Sequence, residues 1–269
     1  MTEDANREDS MMARANPGRA GAGFSNIDLG AASTAAGGSP ALRGYLARPA
    51  GDGPFPAVLM IHEAFGLDEN TVRHADRLAA SGYVTLAVDL YSDGGARRCL
   101  VATMRSLAAG AGRAFTDLAA ARAWLLESGQ TTGKIGVIGF CMGGGFALLI
   151  AHDGFDAAAV NYGKIPKDPG VLAGSCPIVA NFGGRDRTLP EAADKLAAAL
   201  DGLGVEHDIQ EFAAAGHAFL NEVPVGPRLL RPLYRVMGIG PDPQSAPEAW
   251  QRIDDHFARH LKDPPSAGR

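Results

Sequence analysis

The apolar run Ile135-Gly136-Val137-Ile138 leads straight into Gly139-Phe140-Cys141-Met142-Gly143, and an Ala/Leu-rich stretch follows from Phe146. A strand that meets Gly-x-Cys-x-Gly and then a helix spells a sharp turn, the nucleophile elbow, which thrusts its middle side chain outward. The residues two positions to either side must be small, because a Cβ there collides with the turn. Gly139 and Gly143 meet that demand. Such a turn only works at the end of a strand already held in a sheet, so it commits the chain to a sheet with helices packed on it.

The rest of the sequence repeats that alternation. Residues 42–47, 57–61, 83–88, 134–138, 157–160, 178–182 and 208–212 read as strands. Helical patterns cover 69–80, 98–127 with a break at Gly110-Ala111-Gly112, 146–152, 190–203 and 246–261. Near-continuous apolar strands separated by helices predict an α/β protein with a mostly parallel sheet covered on both faces. With 269 residues the chain can bury one large core, and residues 23–263 are expected to form one domain. Residues 1–22, rich in charge, Gly, Ala and Asn, are expected to be a mobile tail, and 264–269 a second one. Residues 222–247 contain Pro224, Pro227, Pro232, Pro241, Pro243 and Pro247. A connection that long is expected to be an insertion near the site.

A net charge of −5 argues against nucleic acid, which selects a basic stripe. The cysteines Cys99, Cys141 and Cys176 are too sparse for a disulfide framework and point to free thiols in a reducing cytoplasm. The charged start, Met1 to Asp9, lacks the apolar core of a signal peptide. No run approaches the roughly 18 apolar residues of a membrane span, so no membrane partner is expected.

A nucleophile needs a base and a group to orient that base. Where the nucleophile sits on such an elbow, the order along the chain is nucleophile, acid, His. After Cys141 come Phe182-Gly183-Gly184-Arg185-Asp186 and Ala215-Gly216-His217-Ala218-Phe219. Asp186 and His217 each fall just past a strand, where open α/β sheets build their sites. His217 can take the thiol proton while Asp186 fixes the imidazole tautomer. The backbone N–H of Met142 and that of Ala64, in the loop after strand 57–61, are the expected donors to a developing oxyanion. Cys99 and Cys176 read as core thiols. His256 and His260, four apart, read as a solvated helix face. His62-Glu63 lacks the second His of a zinc motif, because residue 66 is Gly. No nucleotide-binding glycine loop is present, and neither metal nor organic cofactor is expected.

Ile61-His62-Glu63-Ala64-Phe65-Gly66-Leu67, Val88-Asp89-Leu90-Tyr91, Gly139-Phe140-Cys141-Met142-Gly143-Gly144, Gly184-Arg185-Asp186 and Gly216-His217-Ala218-Phe219 together resemble the dienelactone hydrolase family, from about residue 40 to 262. The resemblance implies an α/β-hydrolase fold, a Cys141-Asp186-His217 triad, and an acyl-thioester route for small ester or lactone substrates. It also implies that Glu63 hydrogen-bonds the resting thiol and takes part in activating it. A carboxylate beside sulfur disfavours the thiolate, and so protects it from oxidation. Two arginines that grip a substrate carboxylate in this family correspond here to Asp93 and Asn221. Arg228, Arg231 and Arg235 would share a face if their segment were helical, and with Tyr91, Tyr162 and Asn221 they are candidates to line the pocket. A thioesterase or other acyl-ester hydrolase on the same triad, a non-catalytic member of the fold, and a thiol redox protein remain alternatives at this point. The oligomeric state is not legible.

Overall fold

The computed structural model describes residues 24–226 and 228–262. The two expected tails, 1–22 and 264–269, lie outside them. The strands are β1 (Ile27–Asp28), β2 (Arg43–Ala47), β3 (Phe55–Ile61), β4 (Val84–Asp89), β5 (Thr131–Phe140), β6 (Ala157–Asn161), β7 (Ile178–Gly183) and β8 (His207–Phe212). They form one sheet in the order β1-β2-β4-β3-β5-β6-β7-β8. β2 pairs antiparallel with β1 and β4, and every other pairing is parallel. The helices are α1 (Gly30–Ala35), α2 (Glu69–Ala80), α3 (Ala96–Ala109), α4 (Arg113–Glu127), α5 (Met142–Ile150), α6 (Ala192–Leu203), α7 (Arg231–Val236) and α8 (Ala246–Leu261).

The central strands are apolar throughout because both of their faces are covered. In β3, Ala57, Leu59 and Ile61 join one apolar cluster, while Val58 and Met60 join the other. In β5, Ile135 and Val137 point one way, Ile138 and Phe140 the other. The period of two along a strand thus feeds two cores, one on each side of the sheet. α8 closes one of them with Trp250, Ile253, Phe257 and Leu261.

α2 spans the residues its periodicity predicts, and Asp68 caps it by accepting from the Thr71 N–H at 3.0 Å. Its buried stripe runs through Thr71, His74, Ala75 and Leu78, with Val72 half-buried. The predicted helix 98–127 is two helices, and Gly110, at φ 63°, ends the first in the left-handed conformation. α5 begins at Met142, directly after the elbow, so Gly143-Gly144-Gly145 lies within the helix that 146–152 continues. A Cβ on Gly144 would press on Asn161 and Gly163, so glycine is what lets this helix lie close against the sheet edge. β1, α1, α7 and a 3-10 turn at Pro169–Leu172 were not expected from the sequence.

The chain leaves β3 for β4 on one side and returns to β5 on the other. The crevice beyond the carboxyl ends of β3 and β5 is therefore the topological switch point where such sheets bind ligands. Among the described residues, no helix is long and apolar enough to cross a membrane.

Candidate active site

Cys141 stands at the end of β5 with φ 53°, a positive value rare for a residue with a side chain. It starts α5, and its N–H is fixed to the Asn161 carbonyl at 3.0 Å. A Cβ on Gly139 would strike the Gly143 backbone, and one on Gly143 would strike the Ile61 carbonyl. No larger residue fits at either position while the turn holds. The Met142 N–H is one of the first four of α5, which have no partner within their own helix.

His217 and Asp186 meet beside this turn, with Nδ1 of His217 2.5 Å from Oδ2 of Asp186. The other Asp186 oxygen accepts from the Thr188 N–H at 2.9 Å and the Thr188 hydroxyl at 2.6 Å. Burial by itself would raise the Asp186 carboxyl; hydrogen bonding and charge from His217, with the two Thr188 bonds, reverse this and hold it below the ordinary carboxylate value. Burial likewise opposes a charge on His217, but hydrogen bonds to Asp186 and Cys141, and the charges of both, raise the imidazole to about 10.

The insertion holds the His217 loop. Ile239 forms a bridge with His217, the Gly240 N–H donates to the His217 carbonyl at 2.9 Å, and Asp242 N–H to the Phe219 carbonyl at 3.0 Å. Gly216 has no space for a side chain because Gly238 lies against it.

Glu63 is 8% exposed, in the loop after β3. Its Oε1 accepts from the Tyr162 hydroxyl at 3.2 Å and from Asn221 Nδ2 at 3.1 Å. Among the described residues its hydrogen bonds go to these two and not to the Cys141 sulfur, which differs from the arrangement the family resemblance implies. Burial raises the carboxyl to about 7, aided by the Asp68 charge and opposed by His217, Asn221 and Tyr162. Tyr162 and Asn221, expected to face substrate, are buried and occupied in holding Glu63. The Tyr162 ring also packs edge-on against His217, 5.1 Å between centroids.

Asn221 continues inward. Its Nδ2 donates to Glu63, so its Oδ1 accepts from His74 Nε2 at 3.2 Å. His74 Nδ1 then carries a lone pair that meets no partner among the described residues. Burial pushes this histidine down to about 4, so it is neutral. It stacks on Phe140 at 4.7 Å.

Tyr91, another expected pocket residue, is also buried. Its hydroxyl donates to the Ala64 carbonyl at 3.1 Å and reaches Met142 Sδ at 3.4 Å, tying together the two segments whose amides were expected to face an oxyanion. His62 braces the same loop. Its Nε2 accepts from the Leu90 N–H at 3.1 Å, and Nδ1 donates to the Glu63 carbonyl at 2.6 Å. Asp93 is ion-paired with Arg113 at 2.7 Å on the surface.

The arginine face expected in the insertion does not form. α7 covers only Arg231–Val236, so Arg228 lies in the preceding turn, exposed. Arg231 spends its Nε on the Gly226 carbonyl at 3.3 Å. Sequence reasoning missed Thr188, His74 and His62. Thr188 had a signal, the Asp-x-Thr spacing of a side-chain-capped turn. His74 had one too, its place on the buried stripe of α2. Among the described residues, no group of three or more His, Cys, Asp or Glu converges to hold a metal.

A model of the dienelactone hydrolase family matches residues 42–261. A Methylorubrum extorquens protein named "Putative carboxymethylenebutenolidase" is 30% identical over 80% of this chain and 76% of its own. A carboxymethylenebutenolidase of Pseudomonas putida is 27% identical over 62% of this chain and 75% of its own. Among solved structures, a "Putative Dienelactone Hydrolase" from Klebsiella pneumoniae superposes with a TM-score of 0.65 at 26% identity, covering 81% of this chain and 93% of that one. The sheet and its helices are the α/β-hydrolase fold these proteins share.

Proposed function

The chain belongs to the dienelactone hydrolase family and is a hydrolase acting on ester bonds, and from that premise we propose that Cys141 is its nucleophile, His217 its proton carrier and Asp186 the group that orients His217. The observation that supports this most is the 2.5 Å contact of His217 Nδ1 with Asp186, beside the elbow that holds Cys141 at a positive φ. An imidazole that keeps its proton up to about 10 sets a cation beside the sulfur that must carry charge when it attacks.

The sulfur attacks the ester carbonyl, and the amides of Met142 and Ala64 hold the oxyanion. As the tetrahedral intermediate collapses, His217 delivers its proton to the leaving alkoxide and an acyl-thioester remains on Cys141. A water molecule then adds to the thioester and gives its proton to His217. The acid departs, and the sulfur returns to its resting state. Glu63, with a carboxyl near 7, is a second acid–base group within the same site.

Cys141→Ala is expected to abolish turnover of p-nitrophenyl acetate, with an unchanged far-UV CD spectrum. A mutant that folds and keeps the wild-type kcat overturns the assignment.

A further inference from the structure

The loop after β3 contributes Ala64 to an open groove of about 540 Å3, lined further by Leu100, Val101, Met104, Arg105 and Ala108. The groove starts at Ala64, the residue whose amide faces the oxyanion in the reading above, and continues along α3. That helix lies alongside α5, with Leu107 packed over Gly145 one turn into the nucleophile helix.

The solvent side of α3 is unusual for an exposed helix, since Val101 is 56% and Met104 41% exposed. A helix face that meets only water is normally polar. The charges nearby do not suit an anionic ligand. Asp93, where the family places an arginine, is neutralised by Arg113, and Asn221, where it places the other, is neutral and bound to Glu63 and His74. Arg105 alone lines the groove with a positive charge.

We propose that this groove is the subsite for a hydrocarbon arm of a neutral ester. The enzyme would then select its substrates by apolar length rather than by a free carboxylate. The inference rests on the catalytic reading above, because the groove matters only if the ester carbonyl lies near Cys141 and Ala64.

Two substrate series test it: p-nitrophenyl esters from acetate to octanoate, which lengthen the acid arm, and alkyl acetates from methyl to octyl, which lengthen the alcohol arm. In one series, kcat/KM should rise with each methylene, by up to about fourfold, until the groove is filled. The rising series identifies the arm that binds. Val101→Asp and, independently, Met104→Asp should each cut the octyl-to-short ratio of that series at least tenfold. Val171→Asp, exposed elsewhere on the surface, should leave that ratio unchanged. Mono-p-nitrophenyl succinate should be a poorer substrate than the butyrate ester.

Flat profiles in both series overturn the proposal, as does a slope that both groove variants leave intact. Preference for the succinate ester that Arg105→Gln removes would also overturn it, and would make the groove a carboxylate site. Failure of the catalytic reading looks different: Cys141→Ala would then keep hydrolysing esters, whatever the slope.

Discussion

Asp186 and Glu63 are two carboxylates at the same edge of the same sheet, 6% and 8% exposed, yet they are driven in opposite directions. Burial pushes both toward the neutral form. Asp186 faces an imidazolium at 2.5 Å and two donors from Thr188, and ends below its ordinary value. Among the described residues Glu63 accepts hydrogen bonds from a phenol and a carboxamide, and although the His217 charge also lowers it, it ends at about 7. Though both are nearly closed to solvent, Glu63 is the more deeply buried of the two and has the weaker partners, so depth and partner together set the charge of a buried acid. Asp186 is a permanent anion suited to orienting a base, whereas Glu63 gains and loses a proton near neutrality.

The sharpest break of that contrast is Asp186→Asn. It keeps the shape but removes the anion, so the imidazole loses the charge that selects its tautomer. The expected fall in kcat/KM is on the order of 10^3–10^4. The kinetic pKa assigned to His217 should also drop toward the ordinary 6.5 or so. A fall of less than about tenfold would mean that Asp186 does not orient the base.

The next test separates the two acids by pH. His217, raised to about 10, contributes stability that is complete below about 6.5 and disappears as pH rises through 10. Asp186, lowered, contributes stability that is complete above its ordinary value and is lost in acid. Glu63 has the reverse sign for a carboxylate. Its folded form holds the proton more tightly than the unfolded chain, so stability declines as pH rises from about 4.5 to 7. At pH 8 its ionisation costs about 3 kcal/mol. Glu63→Gln should therefore gain stability over wild type at pH 8 and little at pH 4, measured by urea unfolding at each pH. A difference that does not vary with pH would put Glu63 among ordinary carboxylates.

How these residues could be read from sequence follows the same division. Cys141, Asp186 and His217 announce themselves because each follows shortly after a strand, and because the backbone beside them demands glycine: 139 and 143 at the elbow, 183 and 216 at the other two loops. Steric demands of that kind leave a trace in the residue string. So does the apolar period of β3 and β5, from which the two-faced parallel sheet was legible. The Glu63 network leaves little trace. Its members are far apart, at 63, 74, 162 and 221, and only the fold brings them together. Tyr162 and Asn221 read as pocket residues because position beside a site does not reveal where a side chain points. α7 was missed since six residues with a proline in the second position carry almost no periodicity. The glycines of α5 have low helix propensity, and close packing against Gly163 and Leu107 overrides it.

The smallest effect is the most discriminating. Tyr162→Phe keeps the ring, and with it the edge-on contact to His217, but deletes the hydroxyl that donates to Glu63. A hydrogen bond to an ionised acceptor contributes about 1.5–3 kcal/mol, and one to a neutral acceptor about 0.5–1.5 kcal/mol. The loss of stability in the variant should therefore be greater at pH 8, where Glu63 is ionised, than at pH 5, where it is protonated. The Glu63 carboxyl should move further up, by about one unit for each 1.4 kcal/mol of that difference. Combined with Glu63→Gln, whose side chain no longer ionises, the Phe substitution should cost the same at both pH values. If the pH dependence survives in the double variant, it comes from another group, and the phenol does not govern the proton on Glu63.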